Sequence, residues 1–116
     1  MQKSLVVVLT FVSFCSSIVS TVYADCAQES CTDVEVMRLY LRPEGDVLID
    51  TSGDEKALSV CTPSEGKYIH LKSDHKNKQE IYSTLLSAQF AGKKVWIRVS
   101  NNQSPCQVEY VVIDKQ

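Results

Sequence analysis

Six side chains in this sequence carry groups that proteins use to hold a ligand: aromatic rings, guanidinium groups and an imidazole. They are Trp96, Arg98, Arg38, Tyr40, Tyr68 and His70. Aromatic rings stack on the C–H faces of sugars, and arginine donates in-plane hydrogen bonds to hydroxyls and carboxylates. The same residue types are enriched at protein interfaces and also commonly cover the exposed face of a sheet. We therefore take these six residues as candidates for binding a ligand or a partner.

Catalysis would need a nucleophile, a base and an orienting group within hydrogen-bond distance of one another. Serines and aspartates can be combined with His70 or His75, but no nucleophile elbow or other local signature accompanies them. His75 lies in a lysine-rich stretch just before the predicted helix, which predicts a solvated side chain. His70 alternates with Ile69 and Leu71, which predicts an outward-facing surface histidine. We predict no enzymatic activity, no catalytic residue and no cofactor.

The first 24 residues have the pattern of a secretory signal peptide. Lys3 supplies a positive start, Leu5–Val12 is an apolar segment, and Val22–Ala24 has small residues where signal peptidase cleaves. A membrane anchor is the alternative, but the serines after the apolar run dilute it below what a spanning helix requires. We expect residues 25–116 to form a single secreted or periplasmic domain without a membrane span.

The cysteines of this domain offer either disulfides or a metal site. They are Cys26, Cys31, Cys61 and Cys106. An even number in a short secreted chain implies two disulfides, with three connectivities. We favour Cys26–Cys31, which closes a small N-terminal loop, and Cys61–Cys106, which ties the middle of the sheet to its last strand. The spacings do not fit a zinc ribbon, and the histidines are not placed as partners, so we predict no metal site.

The charge balance argues against binding to nucleic acid. Without Lys3, the chain keeps 11 basic and 14 acidic residues, which gives a net charge of about −3. The charges are mixed along the chain, so no basic stripe exists to displace phosphate counterions.

The elements that must position these residues are organised around one stretch, Asn77–Ser100. Asn77 is a candidate N-cap, with Glu80 three positions later to complete a capping box. The apolar face of the predicted helix is continuous and includes Ile81, Leu85 and Ala88, widened by Tyr82, Leu86 and Phe90. Gly92 is placed to end the helix, and the strand that follows alternates Val95, Ile97 and Val99 inward with Trp96 and Arg98 outward.

The rest of the domain reads as short strands and turns. The predicted elements are a polar arm at Asp25–Asp33, strands at Val34–Arg42 and Val47–Asp50, a third extended stretch from Ala57 to Cys61 that resumes at Lys67–Leu71, and a last strand at Gln107–Ile113. The third stretch is either one bulged strand or two strands joined by a loop. This order predicts a mainly β domain, a five-stranded OB-fold-like barrel with one helix between strands three and four and two disulfides. An α+β sheet with the helix on one face uses the same elements.

The helix–strand unit Ile81–Val99, framed by Cys61 and Cys106, resembles small secreted bacterial OB-fold proteins related to the B subunits of AB-type toxins, the subtilase-cytotoxin and pertussis-like group. Those proteins share a tyrosine-containing, alanine-rich helix, a glycine and a strand, framed by a disulfide. The resemblance implies non-catalytic glycan recognition and ring-shaped homo-oligomers, usually pentamers. It assigns no sugar-contacting residue in this chain.

Two functions follow from these patterns. The first is a secreted binding module that recognises a glycan or a protein through the outer face of the sheet. The second is a structural or inhibitory protein of the periplasm or cell envelope that binds no glycan. Loss of glycan binding on Trp96→Ala would favour the first.

Overall fold

The structure is a computed structural model that describes residues 4, 6–16 and 25–116. Residues 4 and 6–16 are exposed and have no regular secondary structure. The predicted cleavage site at Val22–Ala24 lies outside the described residues, so signal-peptide removal stays a prediction. Among the described residues, no helix has the length and apolar character that crossing a membrane requires.

Six strands, one α-helix and one short 3₁₀ helix form the described part of the domain. The strands are β1 (Asp25–Ala27), β2 (Ser30–Leu41), β3 (Val47–Thr51), β4 (Ile69–Leu71), β5 (Lys94–Val99) and β6 (Val108–Val112). Helix α1 spans Lys78–Ala91, and the 3₁₀ helix spans Glu55–Ala57. The strands are arranged in the order β4-β3-β2-β5-β6, with β1 beside β2, and neighbouring strands are antiparallel.

The two edges of the sheet approach each other without closing it. A single parallel bridge joins His70 of β4 to Gln107, just before β6, and the His70 N–H donates to the Cys106 carbonyl at 2.7 Å. The fold is therefore mainly β, with an open antiparallel sheet, one helix and two disulfides. The sheet has six strands rather than the predicted five.

The additional strand comes from the predicted polar arm Asp25–Asp33, which folds into a tight hairpin. Cys26 lies directly opposite Cys31 in the β1–β2 pairing, and the two form a disulfide. The second disulfide joins Cys61 to Cys106, so the favoured connectivity is confirmed. The arm predicted to be polar and pinned by cysteines is thus a strand pair, because a covalent bond across two facing residues stabilises pairing that local propensity does not indicate.

The predicted third strand is much shorter in the structure. Only Ile69–Leu71 pairs with β3. The segment Ala57–Cys61 was predicted to be extended, but its first residue is the last residue of the 3₁₀ helix. Asp54 caps that helix by accepting the Lys56 N–H at 3.1 Å. The neighbouring Glu55 carboxylate accepts the N–H and O–H of Thr51, at 2.7 and 2.6 Å. In the segment predicted as a strand, the N–H groups of Ser59 and Val60 both donate to the Gln28 carbonyl in the β1–β2 turn, at 2.9 and 3.4 Å, so this segment does not pair with β3.

Helix α1 forms as predicted, and its contact face packs on the sheet. Ile81, Leu85 and Ala88 are buried in the core, and Gly92 ends the helix with a φ of 65°. Phe90, by contrast, was predicted on this face and is 85% exposed. At 3.6 residues per turn, the nine positions from Ile81 to Phe90 bring Phe90 to the opposite side of the helix, so its side chain faces solvent.

The start of the helix differs from the predicted capping box. Asn77 is at the N-cap position, but its side chain makes no capping hydrogen bond. Its backbone N–H instead donates to Nδ1 of His75 at 3.0 Å, and His75 Nε2 donates to the Glu109 carbonyl at 3.0 Å. His75, predicted to be solvated, is half-buried and links the helix start to β6.

Candidate functional site

The six candidate residues fall into two clusters at different positions along β2. Trp96 and Arg98 lie on β5, which pairs with the N-terminal half of β2. Arg38 and Tyr40 lie on the C-terminal half of β2, which pairs with β3 and through it with β4, beside Tyr68 and His70. The structure thus brings the candidates together as two separate sets rather than as one site.

Trp96 lies in a groove of about 470 Å³ between β5 and the C-terminal tail. Its side chain is 39% exposed, so one part of the indole faces solvent and the rest is packed. The groove is also lined by Asp33, Lys94, Val95, Val112, Asp114, Lys115 and Gln116. We call these residues, together with Trp96, the Trp96 groove. It combines one aromatic surface with two carboxylates, two ammonium groups and an amide.

A β-bulge builds one wall of the Trp96 groove. The β2–β5 register shifts between Cys31 and Val34, and Asp33 within that shift has a φ of 51°. Bulges redirect a side chain out of the regular pleat, and positive φ is uncommon for a residue other than glycine. The bulge follows directly on the Cys26–Cys31 disulfide, which fixes the start of β2.

The C-terminal tail forms the opposite wall. The Gln116 side chain accepts the Lys94 N–H at 3.1 Å and donates to the Lys94 carbonyl at 2.7 Å. A side-chain amide can thus pair with a backbone in the way a neighbouring strand would. This pairing holds Asp114 and Lys115 beside Trp96. Neither wall was predicted from the sequence, because neither the bulge nor the pairing of Gln116 leaves a periodic signal.

Arg98 is occupied by two carboxylates. Its guanidinium lies 2.8 Å from Glu29 and 3.5 Å from Glu109, so it links the β1–β2 turn to β6 across β5. These two carboxylates neutralise the positive charge of Arg98, which an added anion would need for binding. The arrangement explains Arg98 as a cross-link within the sheet and leaves Trp96 as the exposed member of this pair.

The second cluster is organised around Tyr68, which is buried at 5% exposure. Its hydroxyl accepts a hydrogen bond from Nη1 of Arg38 at 3.0 Å, and Nζ of Lys67 lies 5.1 Å from its ring centroid. The Tyr40 ring, 49% exposed, is 6.5 Å away at an interplanar angle of 49°. The hydrogen bond to Tyr68 raises the pKa of Arg38, which is exposed and carries its charge at any physiological pH. We call these four residues the Tyr68 cluster.

His70 is buried, which contradicts the predicted surface histidine. It is 7% exposed because the Thr62–Tyr68 segment folds back over the outer face of β4. Its Nε2 is 2.5 Å from Oγ of Ser64. Burial lowers the pKa of His70, and the positive charge of Arg42 lowers it further.

The Ser64–His70 contact is part of the arrangement that hydrolytic enzymes use, since an imidazole can accept the proton of a serine nucleophile. A third group would have to orient the other ring nitrogen. Among the described residues, no side chain hydrogen-bonds to Nδ1 of His70. The contact is explained by the fold: it holds the turn that carries Lys67 and Tyr68 against the sheet.

A second groove, of about 580 Å³, lies beside Cys61 and is lined by Lys56, Pro63 and Ser104 among others. It contains no aromatic side chain, so it lacks the stacking surface of the Trp96 groove. Among the residues that the structure describes, no three histidine, cysteine, aspartate or glutamate side chains come together as a metal site would require.

Comparison of this chain with protein families, with curated proteins and with solved structures found no match.

Proposed function

We propose that the domain is a secreted, non-catalytic binding module that holds a saccharide in the Trp96 groove. The observation that carries this proposal is an indole, 39% exposed, between polar walls. An exposed tryptophan offers a flat apolar surface to the C–H face of a sugar ring. The surrounding carboxylates, ammonium groups and amide supply acceptors and donors for its hydroxyls.

The charge of the groove favours a neutral saccharide. Asp33 and Asp114 supply two negative charges, and Lys94 and Lys115 supply two positive ones, so the side chains of the lining carry no net charge. A volume of about 470 Å³ lies within the range of small-molecule sites. Both walls are fastened, one by a disulfide and one by the Gln116 pairing, which reduces the entropy lost on binding.

The topology supports the finer hypothesis of an OB-like barrel. The meander β2-β3-β4, the helix before β5 and the parallel bridge at His70 have the order and directions of that fold. Kinship with toxin B subunits, and with it a ring-shaped homo-oligomer, is part of the same hypothesis. Native mass spectrometry tests the oligomer: a pentamer supports the kinship, and a monomer removes that part of the proposal.

The test of saccharide binding is a glycan array followed by calorimetry on the ligands found. We expect saturable binding that Trp96→Ala weakens at least tenfold, as truncation of a central tryptophan does. Trp96→Phe should keep part of the affinity because an aromatic face remains. Phe90→Ala is the matched control, since Phe90 is an exposed aromatic on α1 outside the groove. No binding across a broad array, or equal binding by wild type and Trp96→Ala, would contradict the proposal.

A protein partner in the cell envelope is the second candidate function, and one observation favours it. Met37 and Leu41 on β2 are each 57% exposed, and Phe90 on α1 is 85% exposed. The Gln89 side chain donates to the Met37 carbonyl at 3.4 Å, which places the end of α1 beside β2. Exposed apolar residues of this kind mark interaction surfaces when they are contiguous. If Phe90→Ala abolishes binding to a protein partner that Trp96→Ala leaves intact, the result supports partner binding and argues against saccharide binding in the Trp96 groove.

A further inference from the structure

The three arginines of the domain differ in what balances their charge. Arg42 and Arg98 each lie within 4.0 Å of two carboxylates. Arg38 instead binds the neutral hydroxyl of Tyr68, and within residues 4, 6–16 and 25–116 no carboxylate oxygen lies within 4.0 Å of it. Arg38 is thus a fixed, exposed guanidinium whose charge is not neutralised by an ion pair.

A second cation contacts the same tyrosine. Lys67 lies over the Tyr68 ring, and its position is set by the turn in which Glu65 and Gly66 have φ values of 53° and 72°. Ser64 and Tyr68 pair across that turn through hydrogen bonds of 3.1 and 2.9 Å. The turn is therefore held in place, and Lys67 is presented on a defined loop rather than on a flexible one.

We propose that the Tyr68 cluster binds a tetrahedral oxyanion, a sulfate or phosphate monoester, through Arg38 and Lys67. A guanidinium presents five N–H donors in a planar fork that matches such an anion, and Tyr68 uses one of them. Two cations match the double charge of a phosphate monoester better than the single charge of a carboxylate. The exposed face of Tyr40 lies beside the site and provides a surface for the ring that carries the ester.

Two carboxylates are adjacent to these cations in register or sequence, Asp50 on β3 and Glu65 on the turn that carries Lys67, and among the described residues neither forms an ion pair with Arg38 or Lys67. Asp50 is the cross-strand partner of Arg38 in the β2–β3 register, but the two form no ion pair within 4.0 Å. The oxyanion site does not depend on the Trp96 groove, because the two share no residue.

The test is an NMR titration of the folded domain at constant ionic strength with inorganic sulfate, inorganic phosphate and acetate as probes. We expect saturable shifts confined to residues 38, 40, 67 and 68, with acetate binding several-fold more weakly. Glucose 6-sulfate and glucose 6-phosphate then identify the source of the ester, with glucose as the uncharged control. The ester that binds more tightly identifies the ligand as a sulfate or a phosphate monoester. If neither ester binds more tightly than glucose, the proposal is wrong.

The variants separate a specific site from general attraction to lysines. Arg38→Met should weaken binding at least tenfold, since a charge-assisted bidentate contact is lost. Lys67→Gln should weaken it several-fold, whereas Lys93→Gln, at another exposed lysine, should leave it unchanged. Tyr68→Phe keeps the aromatic ring but removes the hydrogen bond that positions Arg38, so it should also weaken binding. This variant tests the site if Arg38→Met does not fold. Trp96→Ala should titrate as wild type. Equal affinity of wild type, Lys67→Gln and Tyr68→Phe would rule the site out.

Discussion

Glu55 is a buried carboxylate, 3% exposed, that fastens the chain after β3. It accepts both the N–H and the O–H of Thr51, whose Oγ1 also accepts the Gly53 N–H at 3.2 Å. Burial raises the pKa of Glu55 above its ordinary value, although the bonds from Thr51 act in the opposite direction. The residue combines a hydrogen-bonding role that stabilises the fold with a charge that burial disfavours.

The first prediction concerns the pH dependence of this carboxylate. A raised pKa means that the folded state keeps a proton that the unfolded state has already lost. The free energy of unfolding should therefore fall as pH rises from about 4.5, the ordinary value, through the raised pKa, and then level off. Glu55→Gln keeps the acceptor for Thr51 and should remove this slope in urea denaturation.

Glu55→Ala is the matched variant for the hydrogen bonds. It leaves the buried N–H and O–H of Thr51 without an acceptor, which should cost about 1–3 kcal/mol at every pH. If Glu55→Gln showed the same slope as the wild type, another carboxylate would have to be its source.

His70 gives a second prediction, with the opposite sign. Burial lowers the pKa of His70, so the unfolded chain takes up a proton more readily than the folded one. The free energy of unfolding should fall as pH drops below about 6.5, the ordinary histidine value, until the lowered pKa is reached. His70→Asn cannot titrate and should lack this part of the profile. Identical wild-type and variant profiles below about pH 6.5 would contradict the assignment.

At the scale of the elements, two glycines are needed for different physical reasons. A Cβ at Gly53 would lie 2.8 Å from Sγ of Cys26 and 3.1 Å from Cγ1 of Val34. A Cβ at Gly92 would meet no atom within 4 Å, but the residue has a φ of 65°. The first glycine permits close packing on the β1–β2 hairpin, and the second permits the left-handed end of α1.

The third prediction separates these two reasons. Gly53→Ala should cost about 1–3 kcal/mol through overpacking, and Gly92→Ala about 1–2 kcal/mol through backbone strain. Gly92→Asn should recover part of the loss, because asparagine tolerates the left-handed conformation. In a Cys26→Ala/Cys31→Ala background, the cost of Gly53→Ala should shrink while that of Gly92→Ala stays constant, as a double-mutant cycle in chemical denaturation would show. An unchanged Gly53→Ala cost would mean that the Cys26 sulfur is not the limiting contact.

Periodicity predicted the elements whose structure depends on burial of one face. The stripe on α1 and the alternation on β5 placed Leu85 and Ile97 in the core and Trp96 outside. Interactions between distant parts of the chain left no such signal. The burial of His70 depends on a turn folding over β4, and the bulge at Asp33 depends on the pairing of β2 with β5. Of the candidate sites, the sequence therefore supplied the aromatic and cationic side chains but not the grouping that makes them sites.

At the scale of the whole molecule, the two disulfides stabilise different parts of the fold, the β1–β2 hairpin and the junction of the two sheet edges. Cys26–Cys31 closes a hairpin with a sequence separation of 5, whereas Cys61–Cys106 spans 45 residues. The Cys106 carbonyl also accepts the His70 N–H, so the long-range disulfide lies where the two edges of the sheet meet. It ties the loop at Cys61 to the segment directly before β6.

The fourth prediction ranks these disulfides. On the chain-entropy relation, removing the longer cross-link should cost about 4 kcal/mol, and removing the shorter one about 2 kcal/mol. Cys61→Ser/Cys106→Ser should therefore have the lower urea midpoint of the two double variants. Removal of the shorter bond should act mainly on the Trp96 groove, because Asp33 follows it directly. The reverse order of midpoints would show that the β1–β2 hairpin, rather than the junction of the sheet edges, limits stability.

Strand β2 carries one cluster on each half of its twelve residues. From Asp33 to Arg38 the strand rises about 16 Å, at roughly 3.3 Å per residue. If both proposed sites bind, a polymer presenting a neutral sugar and an ester at that spacing engages them together, and its second contact forms at the high effective concentration of a tethered group. Such a chain would be retained through avidity even if each separate contact were weak.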